Sequence, residues 1–332
     1  MSTTGLQFGR VAQLLVANHP LAGDITGRDL SQLQFSFFVR ASDVDTPNTL
    51  VVKIYNLSSQ TEAEITSQYT LVSLAVGYEG TPLSVIFVGT IKAFRKGKES
   101  SVDKFLEISA ADGDLGYSYG FLSATLASGA MQSQVAKVAA YHMQVELDKT
   151  GLTLIETGGL VYPRGKVLFG LARAKLGDVA STLNARWSIQ SGIVKIVPVT
   201  SYLPGTVVVL NSETGMIGIP ESTDNGVEVE CLLNPLLQVG YRVQIDSNAI
   251  VQLSTTAAEA EAASEAAANT GINFPSYTSH IFPATVQYGL GIYRIIVVES
   301  SGDTRGQDWT SHLVCLAIDP SSPPATAVLP SG

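Results

Sequence analysis

Strict two-residue alternation of apolar and polar side chains runs from about residue 30 to 110 and returns from about residue 203, and nothing else limits this chain's fold as strongly. A period of two puts every second side chain on one face of a strand, so both stretches predict half-buried antiparallel strands. In LQFSFFV that face is Leu33, Phe35, Phe37 and Val39, and in LVVKIYN it is Leu50, Val52 and Ile54. The runs LVSLAVGY (71–78), LSVIFVGTIKAF (83–94) and KFLEISA (104–110) follow, parted by the turns Glu79-Gly80-Thr81-Pro82 and Lys96-Gly97-Lys98, which predicts a strand meander. One helix interrupts it: Ser59 and Glu62 form a capping box opening a segment that ends near Gln68. The second stretch holds TVVVL (206–210), GVEVECLL (226–233), YRVQID (241–246), IVQLS (250–254), IYRIIVVE (292–299) and HLVCLAI (312–318), a second barrel or a sandwich.

Between the two, the period changes. Met131, Val135, Val138, Ala139 and Met143 recur at helical spacing behind Ser128 as N-cap, and Leu176, Val179, Ala180 and Leu183 mark another helix over 172–185. RWSIQSGIVKIVPV then reads as a hairpin around Ser191-Gly192. The expected fold class is mainly β with an α+β insertion: a first β domain at 1–115, an inserted α+β domain at 116–202 and a second β domain at 203–318. An Ala/Glu-rich excursion at 255–271, helical or partly disordered, leaves the second domain, and a Pro- and Ser-rich extended tail occupies 319–332.

Charge narrows the function classes. Twenty Lys and Arg against twenty-nine Asp and Glu give a net charge of −9, which argues against a protein that grips nucleic acid by neutralising phosphates. Charged residues make up only 15%, a lightly charged surface that suits burial in an assembly. Cys231 and Cys315 sit in β-like runs and are expected as buried free thiols. The N-terminal residues lack the basic start and apolar core of a signal peptide, and no stretch has the continuous apolar length of a membrane span.

The short motifs with chemical meaning each stand in a context that does not fit them. Gly116-Tyr117-Ser118-Tyr119-Gly120 fits the nucleophile elbow, and Asp148 or Asp178 with His280 or His312 would formally complete a triad. That elbow needs a mostly parallel sheet, whereas the preceding residues alternate as antiparallel strands, so a junction loop is expected instead. Gly159 and Gly165-Lys166 have five residues between the glycines instead of four, and Val167 replaces the magnesium-binding hydroxyl of a phosphate loop. Asp112-Gly113-Asp114 lacks the ligand series of a calcium loop and reads as a turn closing the first β domain. His19, His142, His280 and His312 are scattered, and Asn56-Leu57-Ser58 is a sequon without a secretion signal. No catalytic residue, cofactor or metal ligand is therefore assigned. The polar loop Gly302 to Trp309 has two readings: a hairpin whose Asp and Arg satisfy one another while Trp309 anchors the next strand, or a subunit contact through Asp303, Arg305, Asp308 and Trp309.

Several phrases in this order resemble the baseplate hub proteins of contractile-tailed bacteriophages: VKIYNLSSQT (52–61), VGYEG (76–80), IFVGTI (86–91), AADGD (110–114), the run 213–247 from ETGMIGIP to RVQIDS, and GIYRIIVVESSGDTRGQDW (291–309). The resemblance implies two tube-like antiparallel β-barrels per subunit and a homotrimeric ring, so that six similar barrels adapt a sixfold tail tube to a threefold central spike. It implies as partners the central spike protein, the tail tube or tube-initiator protein, a tape measure protein and surrounding baseplate proteins, with DNA only in transit and no membrane. It places the chain in the virion, in a tail baseplate assembled in the host cytoplasm, and carries no catalytic residues. An acidic lumen would let DNA slide without adhering. The competing readings are a peripheral receptor- or glycan-binding tail module and a tail-associated hydrolase.

Overall fold

The computed structural model describes residues 7–18, 27–156, 161–223, 226–246 and 290–317. The run 250–254, the excursion at 255–271, His19, His280 and the tail at 319–332 lie outside the described residues.

The chain opens with β1 (Arg10–Ala17), β2 (Gly27–Asp29), β3 (Phe35–Ser42), β4 (Thr49–Tyr55), α1 (Ser59–Gln68), β5 (Leu71–Tyr78), β6 (Ser84–Lys98) and β7 (Lys104–Ala111). β1 carries the same alternation as the strands read from sequence, with Leu14 and Val16 fully buried, and it precedes the stretch where strands were expected. The helix cap falls one residue early: the Ser58 hydroxyl accepts from the Thr61 N–H at 3.1 Å. The neighbour order is not a meander. The strands run β3-β4-β7-β6-β5-β1-β2, so β4 pairs with β7, because α1, holding Ile65 in the core, carries the chain past them to β5. β6 is shared lengthwise, pairing with β5 through Ser84 to Thr90 and with β7 from Thr90 to Lys98. Gly89 lies at that changeover, where a Cβ would stand 2.6 Å from the Ala111 carbonyl oxygen.

The middle of the chain forms α2 (Asp114–Tyr119), β8 (Phe121–Leu126), α3 (Gln132–His142), β9 (Glu146–Leu147), α4 (Lys149–Glu156), β10 (Lys166–Leu171), α5 (Ala172–Thr182), β11 (Ala185–Gln190) and β12 (Ile193–Pro198). α3 starts after Met131 rather than Ser128, and the Gln134 side chain accepts from the Met131 N–H at 3.3 Å. β11 and β12 join through Ser191 (φ 53°) and Gly192 (φ 81°), the left-handed pair that a two-residue type I′ hairpin requires. α3 and α5 bury Val135, Ala139, Leu176 and Val179 against Trp187 and Ile196.

The remainder supplies β13 (Val208–Leu210), β14 (Met216–Thr223), β15 (Gly226–Leu232), β16 (Arg242–Asp246), β17 (Leu290–Asp303) and β18 (Trp309–Ala317). These strands are not a sheet of their own. β17 pairs with β16 and β18 and also, through Val297 to Asp303, with β3, so both β regions merge into one sheet of thirteen strands. Its path runs from β14 to β2 without the ends pairing, and no closed barrel forms among the described residues. The molecule is mainly β and antiparallel, with three apolar cores: one around Phe35, Leu50 and Leu74, one within the α+β region, and one around Val229, Tyr293 and Leu313.

Candidate functional site

Among the described residues, those that a hydrolase would need are not brought together. Ser118 lies inside α2 instead of on a strand-to-helix elbow, because Gly113 (φ 62°) already opens the helix. Asp148 caps α4 by accepting from the N–H groups of Thr150 and Gly151, Asp178 pairs with Lys175 at 3.0 Å, and His312 faces Glu228 at 3.5 Å across β18 and β15. Lys166 donates to the Tyr162 hydroxyl at 2.7 Å and so has a structural partner. Among the described residues no group of His, Cys, Asp or Glu could hold a metal ion, and no helix is long and apolar enough to cross a membrane.

The polar loop divides by side chain. Trp309 is 1% exposed and packs edge-on against Phe37 at 5.6 Å, so it anchors the protomer's own core. Asp303 turns back on the loop, where its carboxylate accepts from the N–H groups of Arg305 (2.8 Å) and Gly306 (2.7 Å). Thr304 ties the loop to Phe35 through backbone and hydroxyl. Arg305 and Asp308 stand exposed at the tip. Beside this hairpin lies an open cleft of about 310 Å³, lined by Arg10, Gln13, Asp29, Gln32, Thr304 and Trp309.

The most constrained polar cluster joins the three cores, and reading by motif misses it. Asp43, in the loop after β3, meets Arg186 of β11 at 2.9 Å and Arg294 of β17 at 3.2 Å. Arg294 is 2% exposed, and its other terminal nitrogen faces the carbonyls of Pro198, Val199 and Ser201 at 2.9, 3.1 and 3.0 Å. Burial pulls the guanidinium's pKa below its ordinary value, and Asp43 opposes that pull. Next to it, the Asn48 amide donates to the Ile189 carbonyl at 2.8 Å, and Gln190 donates to the Ser42 carbonyl at 2.7 Å. Asp112, buried at the end of β7, accepts from the Gly192 N–H at 2.8 Å; desolvation pushes its pKa up to about 7. The sequence signal was an arginine inside the apolar run IYRIIVV. Such a cluster performs no chemistry on a substrate. It fixes one region of the chain against another.

The fold is shared with phage tail proteins. A 43 kDa tail protein of prophage MuSo2 from Shewanella oneidensis superposes with a TM-score of 0.53 at 8% identity, over 95% of this chain and 99% of that one. A tail protein from Neisseria meningitidis gives 0.51 at 10% identity, over 96% and 100% of the two chains. A chain of the Francisella PdpA-VgrG complex gives 0.52 at 6% identity, over 95% of this chain and 59% of that one. No curated protein matches. Residues 51–251, more than half of the chain, match the family described as Baseplate hub gp41, and the chain belongs to that family. It is a structural component of the phage tail baseplate.

Proposed function

We propose that this chain forms a trimeric ring on the tail axis that joins the sixfold tail tube to the threefold central spike and lets DNA pass. Each subunit would contribute two tube-like β units, at 1–115 and 203–318, flanking the α+β unit at 116–202. The supporting observation is the pairing of β17 with β3, which fuses two β regions with separate cores into one sheet, so that a subunit carries two joined units instead of two hinged ones. A ring also gives exposed strand edges a neighbour by symmetry. The net charge of −9 suits a lumen that repels DNA. Spike, tube or tube initiator, tape measure and surrounding baseplate proteins are the proposed partners, with assembly in the host cytoplasm.

The test is the solution mass by light scattering, alone and with the spike protein added. Three subunits of 35.0 kDa give 105 kDa, and that species, or a three-to-three complex with spike, is the expected result. A strict 35.0 kDa monomer that ignores the spike overturns the reading.

A further inference from the structure

Three cations and one carboxylate line a narrow pocket of about 10 Å³ where the three cores join: Arg186 of β11, Lys195 of β12, Arg294 of β17 and Asp43. The two guanidinium groups share Asp43, Arg186 on one carboxylate oxygen and Arg294 on the other, so both oxygens are ion-paired. The Nε–H of Arg294 is buried and has no hydrogen-bond partner among the described residues. Ser188, buried in the same lining, accepts from the Gln190 amide at 3.0 Å, which leaves its own hydroxyl proton to donate. The Lys195 ammonium lies over the Tyr241 ring at 4.8 Å, and Asp148 is the acidic group that acts on it. Burial holds Lys195 and Arg294 below their ordinary pKa values, as it does for cations short of counter-charge.

We propose that this pocket holds one small monovalent anion of chloride size. The unsatisfied groups are donors, so an occupant that only accepts matches them better than a water, which brings two protons of its own. Charge selects further: three cations against Asp43 leave an excess of positive charge, and a buried charge without a partner is costly. Size selects as well, because a volume of about one water admits a monatomic ion and excludes sulfate and phosphate. Val197 and Val239 give the pocket an apolar wall, where attraction between opposite charges is stronger than in water. Bound there, the ion ties β11, β12 and β17 together and adds to the link that Arg294 already makes between regions of the chain.

The experiment is urea unfolding of the full chain at constant ionic strength, with sodium gluconate, too large for the pocket, replaced stepwise by sodium chloride. A ligand bound only by the folded state lowers the unfolding constant in proportion to its concentration once that exceeds the Kd, so a tenfold rise in chloride there lowers the constant about tenfold. Lys195→Gln removes the charge and keeps most of the stem, and its unfolding constant should respond far less. A wild-type constant that ignores chloride overturns the site. An equal response in the variant overturns it too, since that response belongs to chloride acting elsewhere on the surface. Should Lys195→Gln fail to fold, chloride NMR line broadening by the wild type and by Ser188→Ala decides: weaker broadening by the variant supports the site, and equal broadening overturns it.

Discussion

Arg294 reaches Asp43 at 3.2 Å across 251 residues of sequence, and the same guanidinium faces three carbonyls of the segment leaving the α+β region. One side chain thereby holds β17, the loop after β3 and the exit from β12 in a fixed relation. Replacing it by Met leaves Asp43 buried with Arg186 as its remaining partner and removes a donor from three carbonyls, of which that of Pro198 keeps the Ser201 N–H. Breaking a buried pair from one side costs about 3–5 kcal/mol. We expect Arg294→Met to lower the unfolding free energy in urea by that order, and Asp43→Ala plus Arg294→Met together to cost less than the two single losses added. Strict additivity would mean that the two groups do not act as a pair.

Asp112 makes stability depend on pH in a direction opposite to that of a salt-bridged carboxylate. Its pKa is raised to about 7 by burial, while an unfolded aspartate titrates near 4. Between those values the unfolded chain loses its proton and the folded one keeps it, so the folded state binds more protons and its stability falls as pH rises. Below the window both forms are protonated, and above it both are ionised, with the full penalty present. Asp112→Asn keeps an acceptor for the Gly192 N–H and removes the charge. Relative to wild type, the variant gains stability from pH 4 to pH 8 by a few kcal/mol, at 1.36 kcal/mol per pKa unit. Urea titrations at both pH values measure this, and parallel curves would show that Asp112 ionises as an ordinary surface group.

Which parts were legible in the sequence follows from how local their physics is. The alternation that marks Phe35, Phe37, Leu50 and Val52 depends on neighbours two residues apart, and those side chains are buried as expected. The Ser191-Gly192 turn needs only its own two dihedral angles, and it too was readable. Partner choice between strands is not local: nothing near β4 says that β7 and not β5 will pair with it, nor that β17 will leave its own region to pair with β3. The short strands of the insert also escaped, since Val167 and Phe169 face outward and break the expected link between apolar and buried. In the hairpin loop, sequence could name Asp303, Arg305, Asp308 and Trp309 but could not say which would turn inward.

Trp309 and Arg305 separate stability from assembly within that loop. Trp309 is 1% exposed and fills the first core beside Phe37, so Trp309→Ala should cost about 3–5 kcal/mol, as large-to-small core changes do. Arg305 is exposed and its side chain supports nothing in the core, so Arg305→Ala should leave the unfolding midpoint within about 0.5 kcal/mol of wild type. If the tip touches a neighbouring subunit, Arg305→Ala weakens association with spike or with other copies while melting normally. A fall in melting temperature matching that of Trp309→Ala would instead make Arg305 part of the core.

The two thiols give a check on the third core that needs no mutation. Cys231 and Cys315 are free and buried in β15 and β18, with Cys231 pushed up to about 12 and Cys315 also raised by desolvation. The reactive species is the thiolate, so burial protects these groups twice, by excluding reagent and by keeping the proton on sulfur. Their positions in the sheet reinforce this: Cys231 stands opposite Ser311 and Cys315 opposite Val227, each within a paired ladder that must open before reagent can enter. We expect no reaction with a disulfide reagent at pH 8 in the folded protein and two equivalents after denaturation. Rapid titration of one thiol in the native state would mean that the β15–β18 pairing opens locally, and the core around Val229 and Leu313 would then be the least stable of the three.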